Sequence, residues 1–438
     1  MRTMVLVTLV SATVHAEGRP SAGADVAGPV APAAPLGRRA PLTLDLGADR
    51  APTRVKLPVP PRGGAATFRH SGGRRGWIAN LPQPVQLPAP AFGGGRVYVS
   101  GGFETRSFYA FDAQDGRLAW AQDGLNDNGP SAPLVDPEGR VIFNTESCTL
   151  FVFDGASGKE RWHKWLGDPT LAQPAYADGL IYASHPGQGF QLSAYRVTDG
   201  KEMWSAGIDG ELLGAPIVHG DALYATSVGG TVYRFDRRTG KKAWARAHGA
   251  SSAPWAVGEE LFVSLRGQGM EEQVVLAAGT GNLLRRVRAQ HAKYLGDVPA
   301  DLRDWKKVWS FEGSRPVVVG GLQVEATGGT VRAADAKTGA PLWTRRFAPA
   351  EHDRSLGSLA VAGPQVVVAT RTGDLYGLDV DTGYTIWSVA TGKRIVAQPI
   401  VAKGWVYAST EDGSVIGLEI ADASLDGWHM WGGGPGHN

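Results

Sequence analysis

Residues 231–244 read TVYRFDRRTGKKAW, and this stretch decides the fold because its pattern recurs along the chain. An alternating apolar run ends at Asp236, Gly240 follows four residues later, and Trp244 comes four residues after that. A carboxylate at the end of a strand can accept N–H bonds of the next turn, and glycine supplies the positive φ that closes a hairpin. A large ring on the following strand can then bury itself against a neighbouring unit. The stretch therefore predicts a hairpin that packs sideways on another copy of itself.

Copies of this pattern follow one another at intervals of about 40 residues. Five copies keep the aspartate, the glycine and the tryptophan: Asp112, Gly116 and Trp120; Asp154, Gly158 and Trp162; Asp236, Gly240 and Trp244; Asp335, Gly339 and Trp343; Asp379, Gly383 and Trp387. A further copy ends at Trp204, and an eroded one at 274–286 (VVLAAGTGNLLRR) lacks both the aspartate and the tryptophan. A half-copy begins at Val415. The repeated aspartates are interpreted as turn caps rather than metal ligands, because a ligand site occurs once and these residues repeat around the chain.

A second marker agrees with the first. An apolar strand follows a small residue and a proline at Pro90, Pro133, Pro174, Pro216, Pro254, Pro316 and Pro399, with Leu359 in the remaining slot. Each unit contains four short β-type runs separated by turns, and the density of glycine and proline excludes helical repeats. We therefore predict an all-β protein, an eight-bladed β-propeller of four-stranded antiparallel blades over residues 63–438, with seven blades as the alternative. One chain terminus, FRHSGGRRGWIANL or GWHMWGGGPGHN, should supply the strand that the last unit lacks.

The ends and the composition indicate an exported globular protein. Residues 1–16 have a basic start, an apolar run and small residues before Ala16, which predicts a cleavable signal peptide. No cysteine follows that could carry a lipid, and the mature chain shows no transmembrane segment, so we expect a periplasmic or secreted protein. Residues 17–62, rich in Ala, Pro and Gly, are expected to form a disordered or extended leader. A net charge of +2 and the lack of a basic run with interleaved aromatic residues exclude nucleic acid as a partner.

The repeat resembles that of the PQQ-like, quinoprotein-type β-propellers, as FDRRTGKKAW, ADAKTGAPLW and LDVDTGYTIW illustrate. That family includes quinone-dependent alcohol dehydrogenases and the non-enzymatic scaffold BamB. The resemblance implies that the enzymes hold their quinone under adjacent cysteines, beside calcium and an aspartate base, whereas this chain has one cysteine. We therefore expect no cofactor and no catalytic residue, and a BamB-like interaction scaffold whose partners are envelope or secreted proteins. PQQ with calcium, in a dehydrogenase or a quinone sensor, and a carbohydrate-binding propeller with a glycan partner remain the alternatives.

Candidate binding residues lie in the loops that should form one rim of the ring. The single cysteine, Cys148, aligns with turn glycines of other copies, which places it between the second and third strands of its unit. A thiol at a turn is generally more exposed than a core cysteine and could react or bind a metal, but a small residue packed under the rim is the favoured interpretation, because no His or Lys lies beside Cys148 in sequence to activate it. The candidate rim surface comprises Asp127, Cys148, Asp168, Glu211, His248, His352, Arg354 and Arg394. An insertion at 289–307 should cap the same rim, and no cluster with metal-ligand spacing is found.

Overall fold

The computed structural model describes residues 44–48, 52–167, 172–267, 270–286, 292–293, 315–327, 329–347, 356 and 359–438. Within these ranges the chain forms eight sheets whose short first strands follow one another around a common axis. The prediction of an eight-bladed, all-β propeller is confirmed, and the seven-bladed alternative is wrong. No helix in this part of the chain is long and apolar enough to span a membrane. The predicted signal peptide lies outside the described residues, as does the insertion apart from its residues 292–293.

Four strands and one 3₁₀ turn precede the first complete blade. They are β1 (Leu44–Ala48), β2 (Thr53–Arg54), β3 (Ala65–Arg69) and β4 (Arg75–Asn80), with the 3₁₀ turn at Ser71–Gly73. Blade 1 contains β5 (Ala91–Gly93), β6 (Arg96–Ser100), β7 (Ser107–Asp112) and β8 (Leu118–Asp123). Blade 2 contains β9 (Leu134–Val135), β10 (Arg140–Asn144), β11 (Thr149–Asp154) and β12 (Glu160–Trp165). Blade 3 contains β13 (Ala175–Ala177), β14 (Leu180–Gly187), β15 (Gly189–Arg196) and β16 (Glu202–Ile208).

The remaining blades follow in chain order. Blade 4 contains β17 (Ile217–His219), β18 (Ala222–Thr226), β19 (Thr231–Asp236) and β20 (Lys242–Ala247). Blade 5 contains β21 (Trp255–Val257), β22 (Glu260–Gly267), β23 (Met270–Ala277) and β24 (Leu283–Arg286), with β25 (Ala292–Lys293) paired to β23. Blade 6 contains β26 (Val317–Val319), β27 (Leu322–Thr327), β28 (Thr330–Asp335) and β29 (Pro341–Arg346). Blade 7 contains β30 (Ala360–Ala362), β31 (Gln365–Ala369), β32 (Asp374–Asp379) and β33 (Thr385–Ala390), and blade 8 contains β34 (Ile400–Ala402), β35 (Trp405–Ser409) and β36 (Ser414–Glu419).

The repeated turn locks each blade to the one before it. In blade 4 the carboxylate of Asp236 accepts the backbone N–H and the hydroxyl of Thr239, both at 2.8 Å, and these bonds lower the pKa of Asp236. Gly240 has φ +71°, and a Cβ atom there would lie 2.5 Å from the Trp204 ring of blade 3. The indole N–H of Trp204 donates to the carbonyl of Arg237 at 3.0 Å. Glycine is therefore required twice at this position, by its φ and by the ring that covers it.

The N-terminal stretch, and not the C-terminal one, closes the ring. Strand β4 pairs with β36 as the fourth strand of blade 8, with Trp77 opposite Gly417. Trp77 is fully buried, and its indole N–H donates to the carbonyl of Ala113 in the motif turn of blade 1 at 2.9 Å. Trp77 is therefore the motif tryptophan of blade 8. The repeat pattern missed it because its own hairpin turn is absent, since its partner strand lies at the other end of the chain.

Part of the segment expected to be a disordered or extended leader forms two short strands along the outside of the ring. Strand β1 pairs in parallel with β29 of blade 6, and β2 pairs in parallel with β33 of blade 7. The side chain of Val55 is buried in the core that blades 6 and 7 share. The physical reason is that the outer strand of every blade leaves one edge without partners, and an extended segment of the same chain can pair with it. Composition rich in Ala, Pro and Gly does not prevent this pairing.

Candidate functional site

The structure ties most of the described rim candidates to their own loops. Asp127 accepts hydrogen bonds from the hydroxyl of Thr145 and the backbone N–H of Ser147 in the adjacent hairpin. Arg394 forms an ion pair with Glu411. These side chains hold a blade-linking loop against the hairpin beside it, so the predicted neighbourhood of loops and hairpins is present. Asp168, His352 and Arg354 lie outside the described residues.

Two further candidates lie in the loops that follow blades 3 and 4. The ring of His248 is hydrogen-bonded through Nε2 to the carbonyl of Gly281, in the turn of the next blade, at 2.8 Å. Glu211 is half-buried, and its carbonyl accepts the N–H of Val228. None of these contacts joins one described candidate directly to another.

Cys148 occupies a glycine position of the repeat. Its φ is +55°, beside +81°, +92° and +78° at the matching Gly230, Gly373 and Gly413. The thiol is fully buried, with Sγ 3.5 Å from the carbonyl oxygen of Ser184 in blade 3. This burial agrees with the favoured interpretation, because the turn lies against the neighbouring blade instead of facing solvent. The thiol packs under the rim.

The C-terminal tail, residues 428–438, fills the centre of the ring. First strands of a propeller leave their inner edges without a neighbouring strand, and here the tail takes that place. Its acceptors receive backbone N–H groups of five blades at 2.6 to 2.9 Å: Phe92 to His429, Tyr176 to Pro435, Val218 to Gly436, Val401 to Trp428, and Ala256 to the side-chain oxygen of Asn438. The sequence alone gave no sign of this arrangement, because the partners of the tail are backbone groups.

Trp431 is the hydrophobic centre of the tail. It is 3% exposed and belongs to one buried cluster with five alanines, each one or two residues before the proline that opens a first strand. These alanines are Ala89, Ala132, Ala215, Ala253 and Ala397. The small residues noticed beside the prolines in the sequence therefore form a collar, the alanine collar, in the wall that surrounds the tail. The tail is therefore packed against the inner walls of the ring through both its backbone and Trp431.

A buried polar cluster fixes the end of the tail. The guanidinium of Arg315 lies between the rings of Trp255 and Trp431, 4.8 and 5.0 Å from their centroids. It donates to the carbonyls of Pro254 and His437. Cation–π contacts and charge-assisted hydrogen bonds are strong where water is excluded, and Arg315 is 6% exposed. Arg315 therefore anchors the tail to blades 5 and 6.

The rim over blades 1 to 4 is acidic and carries one large exposed ring. Trp165, at the end of β12, is 66% exposed. The described carboxylates of this part of the rim are Glu104, Asp123, Asp127, Glu146, Asp209 and Glu211, and Arg106 lies among them. An exposed tryptophan beside charged loops is typical of surfaces that bind another protein. We call residues 103–106, 123–128, 146, 165 and 209–211 the acidic rim.

The described residues do not fit a quinone with calcium on the axis. The space within the alanine collar is filled by the chain itself, and the only cysteine is buried away from it, beside blade 3. Among the described residues, no three His, Cys, Asp or Glu side chains are grouped so as to hold a metal ion.

A cleft of about 970 Å³ opens where blade 8 meets blade 1. Trp405 and Tyr407 line it, but both rings are at most 5% exposed. The guanidinium of Arg75 covers Trp405 at 5.4 Å and is paired with Glu419. Sugars bind to open aromatic faces, and these two rings offer none.

The repeat and the interlocked tryptophans define a class, the PQQ-like eight-bladed β-propeller. Within that class, the chain belongs to the family described as outer membrane protein assembly factor BamB, which matches residues 59–173, 153–294 and 327–432. BamB of Shewanella oneidensis is 22% identical over 70% of this chain and 78% of its own length. The crystal structure of BamB from Moraxella catarrhalis covers 81% of this chain and 99% of that protein, with a TM-score of 0.58 and 16% identity. The quinohemoprotein alcohol dehydrogenase of Comamonas testosteroni shares the fold, with a TM-score of 0.55 and 14% identity over 80% of this chain and 77% of that protein.

Proposed function

We propose that this protein is a non-catalytic interaction scaffold of the cell envelope that acts in outer-membrane protein assembly, as the name of its BamB relatives describes. The observation that carries the proposal is the filled axis: the chain occupies with its own tail the place where a ring of blades would hold a small ligand. The exported location rests on the predicted signal peptide. The acidic rim is the proposed docking surface, and its partner is a protein with a basic face.

The test compares cells of the source organism that lack the gene with cells that carry it again. We expect loss of the gene to lower the amount of folded outer-membrane β-barrel protein, measured by heat-modifiable electrophoretic mobility, and the wild-type gene to restore it. Trp165→Lys should fail to restore it, because the change removes the exposed ring of the acidic rim and adds a charge of the wrong sign. Tyr384→Lys is the matched control, since Tyr384 is 55% exposed on the outside of blade 7. Full restoration by Trp165→Lys would exclude the acidic rim as the docking surface. An unchanged amount of folded barrel protein in the deletion strain would exclude a role in outer-membrane protein assembly.

The fold shared with quinohemoprotein alcohol dehydrogenase keeps the quinone alternative testable. Purified protein titrated with PQQ and calcium would show a saturable change in tryptophan fluorescence if the alternative held. We expect no change, because the axis is filled.

A further inference from the structure

The outer strands of the blades differ in how their edges are protected. From the motif tryptophan onward, or from Arg285 in blade 5, each outer strand pairs with the third strand of its blade in regular register. In β8, β12, β20, β24 and β29 this regular part carries a charged side chain, which hinders pairing with a foreign strand. These side chains include Asp123, Lys164, Arg246, Arg286 and Arg345. In β4, β16 and β33 the regular part carries none.

Two of these three uncharged edges are covered by the chain itself. Strand β3 pairs with β4, and β2 pairs in parallel with β33. The third is residues 204–208 of β16, and among the described residues no strand other than β15 pairs with it. With seven residues, β16 is also the longest of the described outer strands. A long, uncharged and open edge is a template for another strand, so its partner has to be sought outside the described chain.

The open side of β16 is accessible to such a strand. Ser205 and Gly207 are exposed, and a Cβ atom on Gly207 would meet no atom within 4 Å. Met203, just before the regular part, is 49% exposed. The carbonyl of Gly207 accepts the ammonium of Lys242 from blade 4 at 2.7 Å, so a main-chain acceptor of this strand already bonds outside its own sheet. An incoming backbone N–H can replace this exposed contact at little net cost.

We propose that the outer edge of β16 binds an extended segment of another protein, which pairs in parallel with it as a fifth strand of blade 3. The direction follows the example of the chain itself, because β1 and β2 both pair in parallel with the outer strands β29 and β33. Main-chain hydrogen bonds supply the affinity in this kind of strand addition. Strand β16 leads into residues 209–211 of the acidic rim, so the inference deepens the proposed function and rests on it for the nature of the partner.

Carboxylates at both ends of the edge restrict what can bind there. Glu202 is the first residue of β16, and Asp209 and Glu211 follow its last. If the β16 edges of two copies of this protein paired, in either direction, carboxylates of one copy would lie beside carboxylates of the other. Like charges at neighbouring positions on paired strands are destabilising. The occupant that fits is therefore a segment of a different protein, uncharged and β-forming in the middle and basic at its ends.

Peptide binding to the purified protein tests the edge. The probe is the peptide KTVTVTVK, amidated at its C-terminus and labelled with fluorescein at its N-terminus, and ETVTVTVE is its control of opposite charge. We expect saturable binding of the first peptide, measured by fluorescence anisotropy, and at least about 10-fold weaker binding of the second. Met203→Lys combined with Gly207→Lys places charges on the edge and should weaken binding of the first peptide at least about 10-fold. Leu118→Lys on β8, at a residue that is 45% exposed, is the matched control and should bind like the wild type.

A benzophenone group at the C-terminal end of the peptide gives the site and the direction on the wild-type protein. In the parallel arrangement it should cross-link to residues 207–211, which mass spectrometry identifies. Cross-links beside Glu202 would overturn the parallel direction, and cross-links to β8 or unchanged binding by the double variant would overturn the site.

Two further results would also decide against the inference. Dimers of the wild type that Met203→Lys abolishes, measured by analytical ultracentrifugation, would show that a second copy is the occupant. Absence of binding to the wild type would refute strand addition at β16 and leave the cellular test of the proposed function unaffected, because that test follows the amount of folded barrel protein. If strand addition fails in this way, the proposed function can still hold, and the two failures are told apart.

Discussion

We call the interface between two neighbouring blades a seam, and the position on the outer strand that covers the motif turn of the next blade its slot. A tryptophan fills this slot between blades 4 and 5, whereas an arginine fills it between blades 5 and 6. In the first seam, Trp244 covers Gly281 of blade 5 and donates its indole N–H to the carbonyl of Ala278. In the second, Arg285 stands four residues after Gly281, where the tryptophan would be, and its guanidinium donates to the carbonyl of Ala336. Both carbonyls lie one residue after the end of a third strand. The slot therefore selects a planar N–H donor that can lie over the next turn, and a tryptophan is only one way to provide it.

The arginine needs a partner that the tryptophan does not. Both terminal nitrogens of the Arg285 guanidinium donate to the Glu260 carboxylate, with Nη2 2.8 Å from Oε2. The guanidinium carbon also lies 5.8 Å from the centroid of the Phe262 ring. Strand β22 begins with Glu260 where β18 of blade 4 begins with Ala222. The eroded blade has thus replaced one ring by an ion pair, and the two seams should respond differently to mutation and to acid.

The largest expected effect is at the tryptophan seam. Trp244→Ala should lower the free energy of unfolding by about 3–5 kcal/mol, because the ring is 6% exposed and its removal leaves a cavity over Gly281. Urea denaturation measures the change. Trp165→Ala is the control with the same chemistry at an exposed site, and it should stay within about 0.5 kcal/mol of the wild type. Equal losses in the two variants would show that the seam does not depend on the buried ring.

Arg285→Ala should have the next largest effect, a loss of about 2 kcal/mol by the same measurement. The substitution leaves the Ala336 carbonyl without this donor and Glu260 without its cation, in a site that is only partly buried. Arg238→Ala, on an exposed turn with a long 3.9 Å contact to Asp221, is the control and should change little. A loss below about 0.5 kcal/mol for Arg285→Ala would mean that this seam is held by its apolar contacts alone.

Exchanging the side chains of the two seams tests which of them the blade 5–6 interface accepts. Arg285→Trp combined with Glu260→Ala recreates in blade 5 the pair found in blade 4, and its unfolding free energy should lie within about 1 kcal/mol of the wild type. Gly339 of blade 6 has φ +70°, as the turn beneath a ring requires. Arg285→Trp alone should be less stable than the double variant, because Glu260 then lacks a cation. The reverse order would show that the carboxylate is unimportant.

The smallest effect is the acid response of the second seam. The hydrogen bond from Arg285 lowers the pKa of Glu260 below its ordinary value of 4.5, so the pair stabilises the fold above about pH 4.5 and loses this contribution as the pH falls through the lowered pKa. The stability difference between wild type and Glu260→Gln, about 0.5–1 kcal/mol at neutral pH, should therefore shrink below about pH 4. A difference that does not change with pH would contradict the role assigned to the ion pair.

The fold was predictable because its signal is local. The aspartate, the glycine and the tryptophan act within one hairpin and its neighbour, and each copy repeats the evidence for the others. Arg285 could have been found by the same count, four residues after Gly281. For the missing strand of blade 8 the sequence offered two stretches, and the repeat could not choose between them, because the strand of Trp77 is separated from its partner β36 by most of the chain.

The candidate site was much less predictable. The loops around the rim were placed correctly beside the hairpins, but charge and position did not reveal that Asp127 and Arg394 are used within their own loops. The tail left no pattern because it is held largely through backbone groups of the first strands. Side-chain periodicity indicates which face of a strand or helix is buried. The tail is neither a regular strand nor a helix and is bound through its carbonyl groups, so it shows no such periodicity.

Ring closure by β4 and β36 also fixes an order of events during synthesis. Trp77 emerges among the first residues of the domain, but Gly417, opposite it, is made near the end. Blades 1 to 7 can assemble in succession while β4, which is buried in the finished protein, stays exposed until β36 has been synthesised. Such late, long-range pairing is slow and leaves a strand open to wrong partners in the meantime. A chain that stops before residue 414 lacks β36, with which β4 pairs. Premature termination therefore leaves β4, the first blade strand to be synthesised, unpaired in addition to removing the last.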